Sequence, residues 1–346
     1  MRKLLILFIL AGFLVFPVSA MEFTAPQVPE IGQEAMPDAY DTFGEGLWYV
    51  IRTALGKLQP SFASACATCL SLIAVSLLTG LVGGFVTGQE RTIHLVGALM
   101  IGCLLLRQTD TFVHLSRNVI TEISQYGKLL LPVMATALAA QGGTTGAAAI
   151  YAGTLLFDTI LTSAVSYLLI PLVYIYIALA VANAAFGNET LKELQAFVKW
   201  IAVWTLKIIL YVFTGYISIT GVVSGATDAA AIKAAKLTIS GVVPVVGGII
   251  SDASESILVG AGLMKNAVGI YGLLAIVSVW IGPFLHVGIQ YLLLKATAAV
   301  SRVIGGKDSC VLTRDFSAAM GLLLAMTGAI CVMLLISVVC FMKGVA

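Results

Sequence analysis

The sequence predicts an all-α, polytopic helical membrane protein with about six to eight membrane segments. Its 346 residues are 60% hydrophobic and only 10% charged, and the mean hydropathy is +1.03. A soluble domain is about half apolar and about a quarter charged, so this chain has too few charged side chains to cover a soluble surface. The formal net charge of +2 carries no nucleic-acid signature. These observations exclude a soluble enzyme and a nucleic-acid-binding protein, and they predict a multi-pass protein of the cell membrane.

Residues 1–20 have the pattern of a signal peptide. Two basic residues follow the first methionine, and residues 4–16 form an apolar run that is short for a membrane span. Val18 and Ala20 then occupy the small-residue positions of a signal-peptidase site, which predicts cleavage after Ala20. The alternative is an uncleaved anchor, and either interpretation places the residues that follow outside the cytoplasm.

Residues 21–61 are predicted to form an acidic exported tail and an interfacial stretch. Residues 21–46 contain no Lys or Arg, so they meet no positive-inside barrier to export. Prolines interrupt any helix there, and the tail is either a solvated linker or a docking arm. Residues 46–59 are amphipathic, and Trp48 and Tyr49 suit the membrane interface. The acidic residues and prolines of the tail are Glu22, Glu30, Glu34, Asp38, Asp41, Glu45, Pro26, Pro29 and Pro37.

The transmembrane domain is predicted to cover residues 62–341. A helix needs about 20 residues to cross the hydrocarbon, so segments shorter than this are predicted to be tilted, re-entrant or broken. The long apolar stretch that includes residues 146–186 is predicted to cross twice, with a break near Pro171. The clear segments are 62–86, 166–186, 200–222, 271–294 and 317–341, and the weaker ones are 93–106, 129–140 and 146–165.

Basic residues predict the orientation. Residues 295–316 carry four basic and two acidic side chains, which places this loop in the cytoplasm. The mature N-terminus and the short C-terminus, residues 342–346, are then both exported, in agreement with the signal peptide. Residues 107–128 fall outside the cytoplasm on this scheme, although they include basic side chains. Their apolar spacing predicts an amphipathic helix that lies on the membrane surface.

A possible internal repeat covers residues 128–186 and 240–298. Each copy has a short apolar segment, a polar break and two longer segments that meet at a proline, an arrangement that transporters use. The alternative is that the prolines match by chance. Within each copy two prolines are 39 residues apart, namely Pro132 and Pro171 in the first and Pro244 and Pro283 in the second.

The two polar breaks supply most of the candidate site residues. They lie at residues 141–146 and 251–256, and glycines within or before them permit non-helical backbone or close helix contact. If the protein conducts a solute or cargo, these residues are expected to line its path. They are Gly142, Gly143, Gly146, Gly247, Gly248, Asp252 and Glu255.

Ionisable groups within apolar segments are the other candidates, because a charge at mid-membrane is costly and usually faces an interior or an aqueous path. Asp158 is the deepest of them, with Lys207 or Lys265 as a plausible partner, and it serves either a structural contact or a transport path. Lys207 can instead extend towards the cytoplasmic face. His286 is expected to be a packed neutral imidazole or part of the path.

No catalytic motif is present, and the sequence predicts no enzyme, metal site or other cofactor. The three histidines lack metal-ligand spacing. Cys66 and Cys69 have redox-like spacing but lie in an apolar helix, where small residues serve packing. Gly80 and Gly84 have the small-xxx-small spacing that lets helix backbones approach closely, which is typical of a packed bundle or of helix-mediated assembly.

The chain resembles the stage III sporulation protein AE family of endospore-forming bacteria. The resemblance rests on the signal peptide, on residues 132–138 with the following Gly142 and Gly143, on residues 242–248, on the 251–256 break and on the final hydrophobic segment. It implies a membrane subunit of a transenvelope, secretion-like channel complex in the mother-cell membrane around the forespore. Its implied partners are other membrane proteins of the same operon and a forespore protein. The alternative function is a stand-alone secondary transporter or permease for a small solute.

Overall fold

The computed structural model describes residues 25–38, 42–85, 90–242, 247–304 and 307–343. For residues 221–242, residues 247–261 and a few single positions, only the backbone is described. The predicted signal peptide lies outside the described residues.

The described transmembrane domain is helical, and no strand occurs in the described part of the chain, which confirms the all-α prediction. Six helical stretches there are long and apolar enough to cross a membrane, within the predicted range. The helices are α1 (Glu30–Gln33), α2 (Phe43–Gly56), α3 (Leu58–Phe85), α4 (Glu90–Ala140), α5 (Thr144–Ala164), α6 (Ile170–Phe186), α7 (Glu189–Val242), α8 (Gly247–Ile304) and α9 (Lys307–Lys343).

Helix α9 forms the centre of the bundle and packs against α4, α5, α6, α7 and α8. Its side chains Phe316, Leu323, Ile330 and Phe341 have no exposed surface. Lipid tails are as apolar as these side chains, so the bundle is stabilised by van der Waals contact and polar pairs between helices rather than by exclusion of water.

The weaker apolar segments do not form separate short helices. Residues 93–106 and 129–140 both belong to α4, a single helix of 51 residues. Residues 146–165 continue into 166–186 through one turn of π-helix, Val165–Leu169. At a rise of 1.5 Å per residue, α4 is about 75 Å long, more than twice the hydrocarbon thickness.

Residues 107–128 form the middle of α4, and the prediction that they lie on the membrane surface is wrong. Their amphipathic spacing is real, but the apolar face is buried against the bundle, with Phe112, Val119 and Ile123 at most 4% exposed. The opposite face exposes Arg107 and Arg117. Sequence spacing shows that one face is apolar but not what covers it, and here neighbouring helices cover it.

Three prolines of the predicted repeat, Pro132, Pro171 and Pro283, do not break the helices in which they lie. The fourth, Pro244, lies outside the described residues. Pro132 lies inside α4 and Pro283 inside α8. Pro171 follows the π-helical turn, where the Ile170 N–H donates to the Val165 carbonyl. Proline has no backbone N–H, so one carbonyl of the preceding turn loses its hydrogen-bond donor. A local π-helical turn of this kind accommodates that loss, and the transmembrane helix continues.

The two predicted breaks differ. Helix α4 ends in a Schellman motif, in which Gly143 N–H donates to Leu138 O (3.2 Å) and Gly142 N–H to Ala139 O (2.9 Å). Gly142 has φ +93°, a conformation that glycine adopts without steric cost. Residues 251–256 instead lie within continuous α8, so the break expected there is absent. This segment contains no Gly or Pro that would end a helix. The internal repeat stays a prediction.

The start of the described chain packs on the protein, and the interpretation of residues 25–38 as a solvated linker is wrong. Val28 is buried, and α1 lies against α8. A Cβ on Gly32 would lie 2.7 Å from Ser278 Oγ and 2.9 Å from the Val279 backbone nitrogen, so only glycine allows this approach. Val28 and Met36 make apolar contacts with the core. The acidic composition of the tail does not predict these contacts.

An exposed ion pair between Glu34 and Lys57 also joins α2 to this segment. The hydrogen bond and charge of Lys57 lower the pKa of the Glu34 carboxyl below its ordinary value. The pair is solvent-exposed, so it contributes little to stability.

Candidate functional site

Asp158 is buried inside the bundle and is only 1% exposed. It lies on α5, where Ser124 Oγ of α4 donates a 2.7 Å hydrogen bond to its Oδ2. Its Oδ1 has no hydrogen-bond partner among the described residues. An acceptor left unpaired in a low-dielectric interior is costly, and it can be satisfied by a proton or by a small cation.

A second polar pair lies one helical turn from Asp158. Thr154 Oγ1 donates to Ser337 Oγ of α9 at 2.9 Å, and Ser337 Oγ donates to the Met333 carbonyl at 3.0 Å. Residues four apart on a helix share a face, so Thr154 and Asp158 form one polar seam on α5. This seam joins α5 to α4 on one side and to α9 on the other, and hydrogen bonds between helices stabilise such contacts modestly.

The pairing of Asp158 with Lys207, a plausible expectation from the sequence, is wrong. Lys207 is exposed on α7, with its Nζ 5.8 Å from the centre of the Trp204 ring. Within the described ranges, no basic nitrogen lies within 4 Å of the Asp158 carboxylate. Lys265 is buried on α8.

His286 belongs to a different part of the molecule. Its ring meets Phe112 edge to face, with 5.2 Å between ring centroids. It is partly buried and lines a cavity of about 200 Å³ together with Glu34 and Lys57 at the start of the chain. This geometry supports the packed-imidazole interpretation, and it separates His286 from the polar seam of Asp158.

The glycine candidates of the first break lie at one end of the bundle. Gly142 and Gly143 form the α4–α5 turn, and Gly146 is buried in the first turn of α5. The turn abuts α8, because a Cβ on Gly262 would lie 2.5 Å from Nε2 of Gln141. The candidates Gly247, Gly248, Asp252 and Glu255 lie on the helical backbone of α8, and their side chains are outside the described part of the chain. Among the candidates whose side chains are described, Asp158, Lys207 and His286 lie apart from one another.

Sequence reasoning missed an amide pair that joins the buried Gln290 to the partly buried Gln108. Gln290 Nε2 of α8 donates to Gln108 Oε1 of α4 at 3.0 Å, and Gln108 Nε2 donates to Thr68 Oγ1 of α3 at 3.3 Å. These three helices are thus connected by side-chain hydrogen bonds. An amide in an otherwise apolar segment is the signal that would have found Gln290.

These features define a polytopic α-helical membrane protein with a filled interior and local polar pairs. The family model for stage III sporulation protein AE matches residues 49–344, and the chain belongs to that family, which confirms the resemblance predicted from the sequence. It is similar to stage III sporulation protein AE of Bacillus subtilis (strain 168), with 24% identity over 222 residues, or 63% of this chain and 56% of that protein. The match thus spans little more than half the length of that relative. No solved structure matches the chain.

Family membership supports a role in sporulation, and the six apolar helices indicate a multi-pass membrane protein. The family is described by sporulation and not by a catalytic activity. Within the described residues, no group of three or more His, Cys, Asp or Glu side chains is placed to hold a metal ion.

Proposed function

We propose that this protein is a membrane subunit of a transenvelope, secretion-like channel complex that connects the mother cell to the forespore and is needed for endospore development. Its partners are then other membrane proteins of the same sporulation operon and a forespore protein, and its location is the mother-cell membrane around the forespore. The observation that carries the subunit role is the filled core of the described bundle.

Large side chains occupy the middle of the bundle. Tyr126, Phe213 and Phe316 are among the most deeply buried, and the polar groups between helices form short local pairs. Four cavities among the described residues open to the surface, and neither Asp158 nor Thr154 lines any of them. A protein built in this way suits a structural role in a larger assembly better than transport through its own centre.

Helix α3 offers a surface for assembly. Its side chains Leu78, Leu81 and Phe85 are more than half exposed, and a Cβ on Gly84 would meet nothing within 4 Å. With Gly80 one turn away, this face has the small-xxx-small spacing that lets another transmembrane helix approach closely. In the assembly we propose, a helix of another subunit lies there.

Isolation of the native complex tests this proposal. The protein is tagged at its C-terminus in a spore-forming host that lacks the untagged copy, solubilised during sporulation and purified, and the co-purifying membrane proteins are identified. We expect stoichiometric recovery of operon-encoded membrane proteins and loss of late forespore gene expression when the gene is deleted. Replacement of Gly84 by Leu is expected to weaken recovery. Gly44→Leu on α2 is the control, since Gly44 is exposed and a Cβ there also meets nothing within 4 Å. Purification as a single species from sporulating cells would contradict the proposal.

A stand-alone transporter is the second candidate, and the unpaired Oδ1 of Asp158 is the observation that favours it. A buried carboxylate with an open oxygen is a typical site for a coupling proton or cation. To test this, the purified protein is reconstituted in proteoliposomes, and uptake of small solutes is measured under a proton or sodium gradient. Uptake by the isolated protein that Asp158→Asn abolishes would establish the transporter, and its absence supports the subunit.

A further inference from the structure

A basic cleft is lined by α6, α7, α8 and α9 near the ends of the helices that flank residues 187–188 and 305–306. Two adjoining hollows of about 300 and 340 Å³ form it, and they share Lys199, Arg314 and Ala318. Three of these helices approach one another here at the starts of α7 and α9 and the end of α8. The orientation predicted from the basic loop places this end of the bundle at the cytoplasmic side of the membrane.

Four cations line the cleft. Lys199 and Arg314 belong to both hollows, Lys192 to the first and Lys295 to the second. Asp315 is the one carboxylate among the residues that line either hollow, so the cleft is strongly positive.

The cations differ in how they are held. Lys192 is bound to the exposed Glu189 at 3.1 Å, and Lys295 lies over the Tyr291 ring at 5.4 Å. Lys199 and Arg314 form no salt bridge within 4 Å in the described chain. Both side chains lie close enough to Asp315 for their charges to act on its carboxylate. Since two cations face this one carboxylate, the centre of the cleft keeps a net positive charge for an external anion.

The floor of the second hollow is apolar and extends towards the middle of the bundle. It is formed by Val203, Gly321, Leu322 and Ala325. A Cβ on Gly321 would lie 3.3 Å from the Tyr291 ring, so glycine keeps this floor open. From Arg314 to Ala325 the floor follows α9 for about 16 Å, long enough for much of an acyl chain.

Exposed aromatic side chains mark the level of the cleft along the bundle. Trp200 and Trp204 stand on the exposed face of α7, next to the positions of Lys199 and Val203. Tryptophan collects at the boundary between headgroups and hydrocarbon. A positively charged rim at this boundary, with an apolar groove next to it, is complementary to an anionic phospholipid, whose negative headgroup adjoins apolar tails.

We infer that this cleft binds an anionic phospholipid, whose phosphate lies between Lys199 and Arg314 and whose acyl chain lies on the apolar floor. Arginine offers paired N–H donors that match phosphate oxygens, and lysine adds charge. Basic pockets between transmembrane helices on the cytoplasmic side are a common form of lipid site. A free phosphate has the same headgroup chemistry, but it does not use the floor. This inference is independent of the proposed function.

The first experiment measures lipid selectivity of the purified full-length protein in uncharged detergent by native mass spectrometry and thermal unfolding. Phosphatidylglycerol, phosphatidylcholine and inorganic phosphate are added separately. We expect phosphatidylglycerol to bind and raise the melting temperature, and the other two to have little effect. Equal binding of the two lipids, or displacement of phosphatidylglycerol by millimolar phosphate, would overturn the inference. A preference for an acidic peptide such as oligoglutamate over phosphatidylglycerol would overturn it in favour of a protein partner.

Two sets of variants locate the site. Removal of the charges of Lys199 and Arg314 by glutamine is expected to weaken phosphatidylglycerol binding by about tenfold or more. The matched control, Arg107→Gln with Arg117→Gln, removes two exposed cations from α4 and is expected to leave binding unchanged. Ala325→Phe fills the exposed end of the floor without changing charge, and it is expected to weaken lipid binding while the protein unfolds at its normal temperature. Unchanged binding in both the charge and the floor variants would overturn the assignment.

Discussion

Gly153 lies where α5 meets α7, and a methyl group there would overlap the ring of Tyr216. A Cβ on Gly153 would lie 2.0 Å from Cε1 and 2.6 Å from Cζ of that ring. Carbon atoms in contact are about 3.5–4.0 Å apart, so the ring has to move by about 1.5 Å or the helices have to separate. The ring is held, because its hydroxyl donates to the Ala149 carbonyl at 2.9 Å and Phe157 packs beside it at 5.8 Å between centroids.

We therefore expect Gly153→Ala to lower the free energy of unfolding by about 1–3 kcal/mol. Overpacking costs about 1–3 kcal/mol. Loss of the Tyr216 hydrogen bond adds about 1 kcal/mol. Replacement of a helical glycine by alanine stabilises the folded protein by about 1 kcal/mol, because alanine has the higher helix propensity.

The assay is reversible unfolding of the purified protein in mixed detergent micelles, with Gly215→Ala as the control. Gly215 is on α7 beside Tyr216, but a Cβ there would meet nothing within 4 Å, so this variant is expected to be as stable as wild type or slightly more stable. In a Tyr216→Ala background the cost of Gly153→Ala should disappear, since the clashing ring is gone. The reasoning is refuted if Gly153→Ala is as stable as Gly215→Ala, or if its cost persists without the ring.

Three further predictions follow from local geometry. Gly142→Ala is expected to destabilise the protein by about 1 kcal/mol because of its positive φ, while Gly143→Ala, at φ −82°, costs less; equal melting temperatures would contradict this. Asp158→Asn is expected to insert and fold at least as well as wild type, because the amide oxygen still accepts from Ser124 and a buried charge is removed; a lower yield of folded protein would show that the charge stabilises the bundle. Gly32→Leu is expected to release the start of the chain from α8, seen as faster proteolysis of residues 25–38 without a change in the core; protection equal to wild type would refute the tight approach.

The amount of structure that the sequence predicts depends on whether the physical cause is local. The Gly142–Gly143 turn was predictable, because glycine pairs favour a helix end in any context. The sequence did not predict that α4 is one continuous helix over residues 93–106, 107–128 and 129–140. Such a helix is stable where water or polar groups contact its polar face and other helices cover its apolar face, and those contacts are set by the tertiary structure. The same reason explains the continuous helix at 251–256, where polar composition resembled a break.

The candidate site shows the limit most clearly. The sequence identifies Asp158 as a costly carboxylate in an apolar segment, and the structure confirms its burial. Its partner could not be predicted, because Ser124 lies 34 residues away and hydroxyls are common, whereas Lys207 looked suitable by charge alone. Lys207 instead lies well inside α7 on its exposed face, where its Nζ is beside the Trp204 ring.

The sequence by itself determined that this protein is a helical membrane protein, since apolar composition leaves the backbone no partner except itself in lipid. It also determined the family, through segments such as residues 132–138 and the glycines after them. Only the tertiary structure decided which faces meet. Lys199, Lys295 and Arg314 come from three helices, and Gly153 meets Tyr216 across 63 positions of sequence. Such contacts depend on how helices rotate and cross to fit one another's surfaces, and that fit is a property of the whole packed bundle.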